Sequence, residues 1–448
     1  MTAWIPSLVV VAMIGLFLVL PTWIKLTWRE RKARQLREAS IAAGRNEPAS
    51  IRPWVDPQRC MGSGACVTAC PEHVLGVING QAHVIHGAKC VGHGACVTAC
   101  PVEAIQLVFG SDQRGIDIPE LSPQFETNVP GLFIAGELGG MGLIANAVEQ
   151  GRQAVDHALA TPAPAVPDAV DFVIVGAGPA GIGAGLRAIE RGATYVLLDQ
   201  DDFGGAIRHY PRQKLVMTRP MELPGFGRLN LHTARKEELI EHFEAVMAKT
   251  GLKVTGQQRV EHILPSPDGF LVQTAEHEHV GRHVILAIGR RGSPRKLGCP
   301  GEDLEKVAYR LLDPEKYTFQ HILVVGGGDS ALEAAVSLGE QAGNRVTLSY
   351  RGRGFNRAKE DNLTRLDQAR EAGRVTVLLG SVVTRIDLDR VVLDQDGTEV
   401  VVPNDFTFVF AGGVLPTALL TDAGIRIRRH HGKKVTDAAV PELTRRGP

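Results

Sequence analysis

Six of the seven cysteines in this 448-residue chain lie between positions 60 and 100, and the seventh, Cys299, stands alone. The six fall in two runs of one pattern, CMGSGACVTACP at 60–71 and CVGHGACVTACP at 90–101. They are Cys60, Cys66, Cys70, Cys90, Cys96 and Cys100. Thiols clustered in this way, without the even distribution of a disulfide scaffold, indicate a metal site in a reducing compartment.

The spacing within each run is typical of iron–sulfur ligation. Bacterial ferredoxins carry C-x2-C-x2-C-x3-C-P, in which the fourth Cys ligates the other cluster, and this region resembles such a two-cluster ferredoxin. The resemblance implies one cluster held by Cys60, Cys66 and Cys100. It implies a second cluster held by Cys90, Cys96 and Cys70. A zinc site and buried structural thiols are the alternatives, and the proline after each last Cys favours clusters.

Each copy lacks the second Cys of the ferredoxin pattern. Ser63 occupies that position in the first copy and His93 in the second. Either these two residues complete [4Fe–4S] clusters, or the fourth iron is absent and the sites hold [3Fe–4S] clusters, as in ferredoxins with C-x2-H-x2-C that serve cytochromes P450. We expect at least one [3Fe–4S] cluster. An imidazole in place of a thiolate would also raise the reduction potential.

A glycine-rich turn follows a Pro/Ala linker at 161–169. The stretch DFVIVGAGPAGIGAGLRAIERGATYVLLDQ places Gly176, Gly178 and Gly181 between an apolar strand and a helix, and a second strand ends at Asp199. In a dinucleotide-binding βαβ unit, such glycines allow a tight turn and close approach of the pyrophosphate, and the acid binds ribose hydroxyls. A glycine-rich turn without a ligand is the alternative.

A second βαβ pattern begins 150 residues later, at HILVVGGGDSALEAAVSLGEQAGNRVTLSYRGRGFNRAKEDN. Its strand ends in arginine rather than in an acid, which favours a 2′-phosphate and therefore NADPH over NADH. Arg351 is the first candidate for that contact, with Arg353 and Arg357 behind it; any of them could instead be a solvated surface residue. The other predicted contacts are Gly326, Gly328, Asp329, Ser330 and Ala331.

Two such units resemble the thioredoxin-reductase-like flavoproteins, including ferredoxin:NADP reductases and bacillithiol-disulfide-reductase-like proteins, in which an NADPH domain is inserted into an FAD domain. HVILAIGRRGSPRKLGCPGE at 283–302 is similar to the exit from that FAD domain, and FTFVFAGGVLPTALLTDAGI at 406–425 to the return. Phe203-Gly204-Gly205 occupies the position where the family's chain turns over the flavin. The resemblance implies FAD and NADP(H) as cofactors, with Gly204 and Gly205 as flavin contacts.

The last FAD element of that family is displaced in this chain. Residues 126–159, ETNVPGLFIAGELGGMGLIANAVEQGRQAVDHAL, are similar to it but precede the first fingerprint, as after a circular permutation. Gly136 and Glu137 replace the usual Gly-Asp, and the resemblance implies that Glu137 contacts the ribityl chain. A helix starting near Asn146 would direct its N-terminus at the isoalloxazine. The alternative is a remnant of a lost domain in a chain without flavin.

An apolar run precedes the cysteines. Residues 4–25, WIPSLVVVAMIGLFLVLPTWIK, contain no charge before Lys25 and have the length of a transmembrane helix. Trp4, Trp23 and Trp28 occupy interfacial positions, and a basic stretch follows, which predicts a single-pass anchor in the cytoplasmic membrane with the soluble domains on the cytoplasmic side. A cleaved signal peptide is the alternative, but no positive n-region precedes the apolar run and no small-residue cleavage site follows it directly.

The predicted fold class is α/β: two Rossmann-like dinucleotide-binding domains for FAD and NADPH, plus a small α+β two-cluster ferredoxin domain and one N-terminal transmembrane helix. Lys+Arg and Asp+Glu are balanced at 49 each, which disfavours nucleic acid as a partner. The predicted segments are 1–28, transmembrane anchor; 29–52, basic linker; 53–110, ferredoxin-like domain; 111–160, permuted FAD-capping segment; 161–169, linker; 170–296, FAD domain; 297–412, NAD(P)H domain; and 413–448, return to the FAD domain and tail.

The resemblance implies an oxidoreductase, while the known routes of disulfide reduction are disfavoured. The chain has no C-x-x-C pair, and Ala180 stands in the first fingerprint where bacillithiol-type enzymes carry a Cys. Cys299 is expected to be a small buried residue. We expect electrons to pass between NADPH, FAD and the two clusters to a redox partner protein or quinone at the membrane, without a catalytic side chain, in a chain that could form a homodimer. The alternative is a non-catalytic membrane-tethered redox sensor or electron-transfer adaptor.

Overall fold

The computed structural model describes residues 13–48, 51–113, 115–140, 142–161, 168–290, 293–356 and 358–432. Trp4 of the predicted anchor and Arg357 of the predicted nucleotide site lie outside the described residues. The described residues form two compact units, one from residue 13 to Ile116 with residues 430–432, and the other from Asp117 to Arg429.

One long helix opens the first unit. After a π-helical turn at Gly15–Val19, helix α1 (Leu20–Ala42) runs through the predicted boundary at residue 28, so the end of the apolar run and the basic stretch share one helix. Large apolar side chains between Met13 and Trp28 are exposed, whereas Ala33 is buried. In the part of the chain that the structure describes, no helix is both long and apolar enough to cross a membrane.

The remainder of the first unit is a small α+β domain whose structure repeats as its sequence does. Helices α2 and α3 each follow a left-handed glycine, Gly64 (φ 73°) and Gly94 (φ 77°), and each carries the middle Cys of its run. Two antiparallel ladders, β1–β4 and β2–β3, enclose them. The elements are β1 (Ile51–Val55), α2 (Ala65–Ala69), β2 (Leu75–Ile78), β3 (Gln81–Val84), α3 (Ala95–Thr98) and β4 (Ile105–Phe109).

The first lobe of the second unit is built on a six-stranded sheet. Its elements are β5 (Ile116–Pro119), β6 (Leu132–Ile134), α4 (Ile144–Ala160), β7 (Val170–Val175), α5 (Pro179–Glu190), β8 (Tyr195–Leu198), β9 (Leu215–Met217), β10 (Met221–Leu223), β11 (Gly227–Leu229), β12 (Thr233–Arg235), α6 (Lys236–Thr250), β13 (Val260–Ser266), β14 (Gly269–Thr274) and β15 (Glu278–Leu286). The strand order is β13-β14-β15-β7-β8, and β6 pairs in parallel with β15. Strand β7 is a near-continuous apolar run because helices cover parallel sheets.

The displaced segment is part of that sheet. Leu132 pairs with Val284 and Ile134 with Leu286, so β6 lies beside the strand that leaves this lobe. Helix α4 packs against α5, the helix that follows the first glycine turn. Small residues line the contact, and Ala154 and Ala184 are fully buried there. The segment ahead of the first fingerprint therefore completes the core of the lobe that follows it.

The second lobe holds the second glycine turn on a five-stranded parallel sheet of order β17-β24-β18-β19-β20. An antiparallel three-stranded sheet, β21-β22-β23, packs beside it. The elements are β16 (Ser293–Pro294), β17 (Val307–Ala308), β18 (His321–Val325), α7 (Asp329–Gly339), β19 (Arg345–Tyr350), α8 (Glu360–Glu371), β20 (Val375–Leu379), β21 (Ser381–Ile386), β22 (Arg390–Gln395), β23 (Thr398–Pro403), β24 (Phe406–Val409) and β25 (Gly413–Val414). The chain then returns to the first lobe, where α9 (Thr417–Asp422) packs on β13 and β26 (Ile427–His430) pairs with β5.

Candidate cofactor-binding sites

Thiols of the first unit come together across the two cysteine runs. Burial raises the pKa of the Cys66 thiol, and the thiols of Cys60 and Cys100 raise it further. Cys100 belongs to the second run, so the chain crosses over between the two groups. The backbone N–H of Ala82 donates to Cys60 Sγ at 3.4 Å, and that of Ala104 to Cys100 Sγ at 3.2 Å.

The second group of thiols mirrors the first. Burial, together with the thiols of Cys90 and Cys70, raises the pKa of Cys96 to about 12. Burial also raises the pKa of Cys90 to about 11. The backbone N–H of Val74 donates to Cys70 Sγ at 3.4 Å, which repeats the contact made at the end of the other run. A raised pKa keeps these thiols protonated in the absence of metal, whereas metal binding releases the protons and stabilises the thiolates. The set therefore suits metal ligation.

The two non-cysteine positions differ in their surroundings: Ser63 is exposed and His93 is half-buried. Gly62 and Gly92 both adopt left-handed backbone, at φ 68° and 80°. Across the described ranges, no group of three or more His, Cys, Asp or Glu is arranged to hold a metal ion. The fit to iron–sulfur clusters rests instead on the grouping of thiols across the runs and on the N–H groups directed at sulfur.

Backbone contacts require the glycines of the first fingerprint. A Cβ on Gly176 (φ 102°) would lie 2.6 Å from the Ala287 carbonyl oxygen, and one on Gly181 would lie 1.8 Å from the carbonyl oxygen of Gly176. Gly178 precedes helix α5, whose N-terminus faces the cavity described below. This is the arrangement in which backbone N–H groups and a helix dipole hold a pyrophosphate.

Asp199 ends strand β8 next to that turn. Its Oδ2 accepts a hydrogen bond from the N–H of Ala177 at 2.6 Å, and its Oδ1 accepts one from the N–H of Asp201 at 2.9 Å. Burial raises the pKa of Asp199, while these backbone donors oppose the shift. The carboxylate is thereby fixed at the cavity wall, where a ribose could share its oxygens.

The Phe203-Gly204-Gly205 turn closes over the first fingerprint. The N–H of Gly204 donates to the carbonyl oxygen of Ala177 at 2.8 Å. Gly205 is also left-handed (φ 53°), and a Cβ there would lie 2.9 Å from Gly178 Cα. Of the two predicted glycines, Gly205 lines the cavity.

The displaced segment delivers Gly136 and Glu137 to the same place. Gly136 follows β6 with φ 86° and ψ −152°, and its N–H donates to Gln150 Oε1 at 2.7 Å. Gln150 is buried in α4 and is not among the residues predicted from the sequence. The feature that could have indicated it is its position as a polar residue on the small-residue face of that helix. Glu137 lines the cavity.

A cavity of about 1290 Å³ in the second unit joins these residues to the second fingerprint. Its wall includes Gly136, Glu137, Gly176, Gly178, Asp199 and Gly205 from the first lobe and Gly328, Asp329, Ser330 and Ala331 from the second. The remaining predicted glycines, Gly181, Gly204 and Gly326, shape the turns behind it. Its size, the glycine turns and the fixed carboxylates fit an extended dinucleotide, and the described residues therefore fit FAD.

A half-buried arginine in the cavity wall is absent from the sequence prediction. Burial lowers the pKa of Arg290, and the carboxylates of Glu137 and Asp117 oppose the shift. Its Nη2 donates to the Asp117 carbonyl oxygen at 3.2 Å. The sequence signal is an arginine directly after the AIG turn at 287–289, which follows the exit strand β15.

The second fingerprint is held by its own contacts. A Cβ on Gly326 would lie 2.6 Å from the Phe410 carbonyl oxygen. Asp329 Oδ1 accepts hydrogen bonds from the N–H of Lys359 at 2.7 Å and from Asn362 Nδ2 at 2.8 Å. Ala331 is fully buried in helix α7, so the helix packs closely on its sheet.

The structure separates the predicted arginines. Arg351 is exposed at the end of β19, whereas Arg353 forms a 3.0 Å ion pair with Asp396. Neither lines the cavity described above. Tyr350 stacks on Phe355 with ring centroids 5.5 Å apart. Arg351 is therefore better placed than Arg353 to meet a phosphate in solution.

The partial exposure of Cys299 and one ion pair between the lobes were not predicted from the sequence. Cys299 is half-buried rather than fully buried, because the loop that carries it lies at the edge of the β21-β22-β23 cluster. Lys214 Nζ of the first lobe lies 2.9 Å from Glu333 Oε2 of helix α7, a contact between the lobes that sequence spacing does not reveal.

Comparison with known proteins agrees with this geometry. A family profile described as pyridine nucleotide-disulphide oxidoreductase matches residues 173–443, and one described as a 4Fe-4S dicluster domain matches residues 52–101. The chain is 30% identical over 250 residues to a ferredoxin--NADP reductase of Ignicoccus hospitalis, covering 54% of this chain and 76% of that protein. It is 24% identical over 267 residues to the bacilliredoxin reductase Bdr of Bacillus subtilis, covering 58% and 82%.

Among solved structures, the bacillithiol disulfide reductase Bdr of Staphylococcus aureus matches with a TM-score of 0.51 and 23% identity, covering 58% of this chain and 82% of that one. This likeness shows the fold, and the predicted thioredoxin-reductase-like fold is confirmed. The chain belongs to the pyridine nucleotide-disulphide oxidoreductase family and is an NAD(P)H-dependent, FAD-containing oxidoreductase that also carries a 4Fe-4S ferredoxin domain.

Proposed function

We propose that this protein is a membrane-anchored reductase in which electrons pass between NADPH, FAD and two iron–sulfur clusters to a redox partner at the membrane. The observation that carries the proposal is the cavity that joins the two glycine fingerprints, in a chain that also groups six thiols across a duplicated cysteine run. When bound, FAD accepts hydride from a nicotinamide and releases its electrons singly, which links a two-electron donor to one-electron carriers.

The chain's own residues bind and orient the cofactors. Gly176 and Gly178 admit the pyrophosphate to the N-terminus of α5, where exposed N–H groups and the helix dipole neutralise its charge. Asp199 supplies oxygens to the ribose, and Glu137 is placed for the ribityl chain. Arg290 brings a positive charge to the part of the wall near the Glu137 carboxylate.

The nicotinamide dinucleotide would bind at the N-terminus of α7. Gly328 leaves room for its pyrophosphate, since a Cβ there would meet nothing within 4 Å. Asp329 is held by Lys359 and Asn362, which fixes the turn. We assign the 2′-phosphate to Arg351, and NADPH as the preferred donor follows from that assignment.

We propose that at least one of the two sites holds a [3Fe–4S] cluster. Ser63 and His93 replace the thiolate that a fourth iron would need. The exposed Ser63 offers only a weakly acidic hydroxyl, so the first site is the better candidate. The number of iron atoms per chain and the oxidised EPR signal test this point.

The membrane location rests on the N-terminal segment. Phe17, Trp23 and Trp28 expose 63%, 61% and 62% of their surface, and no other part of the described chain covers them. Residues 4–12, which complete the apolar run, lie outside the described residues. The basic residues follow that run, which favours cytoplasmic soluble domains. The partner would be a ferredoxin-type redox protein or a quinone, and a homodimer is compatible with the proposal.

An anaerobic spectrum tests the function. The protein is purified in detergent with its cofactors and mixed with one equivalent of NADPH or of NADH while absorbance is recorded. We expect NADPH to bleach the flavin bands, and NADH to bleach them more slowly. Clusters and flavin that are present but do not respond to either nucleotide would contradict the reductase and favour a redox sensor or adaptor.

A further inference from the structure

The N-terminal helix fixes the order of the two cluster sites relative to the bilayer. We propose that the site formed by Cys60, Cys66 and Cys100 lies at the membrane surface and that the site formed by Cys70, Cys90 and Cys96 lies farther into the cytoplasm. This inference rests on the proposed membrane anchor. It concerns only the first unit, in which the helix and both sites lie.

The membrane end of helix α1 docks on the first cluster site. Glu30 Oε1 accepts hydrogen bonds from the Asn79 N–H at 2.8 Å and from Arg34 Nη2 at 3.2 Å, and Arg34 Nη2 also donates to Asn79 Oδ1 at 2.9 Å. Asn79 and Gly80 form the tip of the β2–β3 hairpin, at φ 52° and 71°. The helix therefore holds this tip by a side chain on each of two successive turns.

The hairpin tip in turn touches the loop of the first cysteine run. A Cβ on Gly62 would lie 2.0 Å from the Gly80 carbonyl oxygen, so the two backbones are in direct contact. One residue beyond the tip, the side chain of Gln81 donates to the Pro57 carbonyl oxygen at 2.8 Å, and the N–H of Ala82 donates to Cys60 Sγ at 3.4 Å. The Cys60 loop therefore lies beside Glu30 at the same position along the axis of helix α1.

The other end of the helix reaches the second cluster site. The carbonyl oxygen of Arg45 accepts a hydrogen bond from the Ala88 N–H at 3.0 Å. A Cβ on Gly87 would lie 1.9 Å from the Asn46 carbonyl oxygen. Gly87 and Ala88 lie three and two residues before Cys90, so the chain just after the helix lies against the entry to the second run.

The two contacts are far apart along one rigid element. At about 1.5 Å per residue, Glu30 lies about 8 Å beyond Lys25, the end of the apolar run, and Ala42 lies about 18 Å beyond Glu30. Between them, Gly76 allows the helix to approach, since a Cβ there would be 2.9 Å from Ala33 Cβ. The headgroup zone is roughly 5–8 Å thick on each side of the hydrocarbon core. The Cys60 loop therefore falls at its outer edge and the Cys90 loop well beyond it.

Charge supports a bilayer as the occupant of the exposed helix surface. Phe17, Leu20, Ile24 and Leu26 are exposed, and so are Trp23 and Trp28 near the end of the apolar run, where tryptophan is typical of the membrane interface. The cations immediately beyond are suited to anionic headgroups. They are Lys25, Arg29, Arg31 and Lys32. A carrier dissolved in the bilayer would meet the Cys60 site before the Cys90 site.

The internal repeat provides a matched pair of probe positions. Met61 and Val91 each follow the first Cys of their run, and both are exposed, by 66% and 37%. The photo-cross-linking residue p-benzoylphenylalanine is placed at one or the other in the full-length holoprotein, which is reconstituted in vesicles of phosphatidylcholine and phosphatidylglycerol. Iron content and the visible spectrum check that each variant keeps its clusters. We expect lipid cross-links at position 61 and none at position 91.

Flotation of the same samples tests the membrane anchor separately from the order of the two cluster sites. A chain that floats with the vesicles but forms cross-links at position 91, at both positions alike, or at neither would overturn the inference and leave the anchor standing. A chain that does not float would overturn the anchor and this inference with it. Replacing Gly76 by Val should detach the helix, so that selectivity for position 61 is lost while flotation is kept; retained selectivity would contradict the role of the helix.

Discussion

The packing of α4 on α5 provides the sharpest test of the displaced flavin segment. Gly183 lies in α5, and a Cβ there would be 2.4 Å from the Val148 carbonyl oxygen of α4. Gly185 lies two residues farther along, where a Cβ would meet the tip of the Leu252 side chain at 2.6 Å. A side-chain tip can rotate away, whereas a carbonyl oxygen moves only if the two helices separate.

The two alanine substitutions should therefore differ clearly in their cost to stability. Gly→Ala within a helix gains about 0.5–1 kcal/mol from lower backbone entropy in the unfolded chain and better helix propensity. At Gly183 the displaced carbonyl contact costs about 1–3 kcal/mol in addition, as overpacking does. We expect Gly183→Ala to lower the free energy of unfolding by about 1–2 kcal/mol, and Gly185→Ala to leave it within about 0.5 kcal/mol.

Urea unfolding of the flavin-loaded protein measures both variants, with the far-ultraviolet circular dichroism and the flavin fluorescence recorded together. Because α4 carries the residues behind Gly136 and Glu137, Gly183→Ala should also release FAD at lower urea than the parent protein does. A Gly183→Ala variant as stable as Gly185→Ala, with unchanged flavin retention, would refute the close packing of the displaced helix.

Three further substitutions follow from particular contacts. Burial raises the pKa of Asp156, but hydrogen bonds from Arg187 in α5 and from Arg191 just after it outweigh burial and hold the pKa below its ordinary 3.8. The stabilisation is therefore present at neutral pH and lost as the pH falls through the folded-state value. Asp156→Asn should cost about 1 kcal/mol at pH 7 in urea unfolding and progressively less below pH 4. Gly62→Ala should lower the iron content per chain, whereas Gly94→Ala, also left-handed but with nothing within 4 Å of its Cβ, should lower it less; equal loss would contradict the hairpin contact. Arg351→Ala should raise KM for NADPH about 10- to 100-fold, because it removes a charged hydrogen bond of about 1.5–3 kcal/mol, and should change KM for NADH little. Arg353→Ala should change neither KM. Equal effects of Arg351→Ala on both coenzymes would contradict the assignment of the 2′-phosphate to Arg351.

Local chemistry made part of the molecule predictable from sequence. Glycine is required at positions 176, 181 and 326 because a Cβ there would collide with a backbone carbonyl oxygen, so the glycine spacing alone predicts the turns. Resemblance to two-cluster ferredoxins implied the crossing of Cys100 to Cys66, and these two thiols do lie close together. Resemblance to a known family supplied the role of the segment around Gly136, since nothing in its own composition indicates pairing with a strand 150 residues away.

Contacts between distant segments could not be predicted. The pairing of Lys214 with Glu333 depends on how two lobes close, which no periodicity encodes. Gln150 is buried because Gly136 needs an acceptor, and that need exists only after β6 joins the sheet. The change of composition at residue 28 predicts a boundary between anchor and linker. Helix α1 instead continues through it, and Glu30 and Ala33 of the same helix contact the ferredoxin domain.

The central claim is that electrons pass within one chain from the nucleotide to the clusters. Stopped-flow mixing with NADPH followed by freeze-quench EPR measures the rate of cluster reduction over a wide range of protein concentration. The account predicts reduction of the clusters after the flavin bleaches, at a rate independent of protein concentration. A rate that rises in proportion to protein concentration, or clusters that stay oxidised while the flavin is reduced, would contradict it.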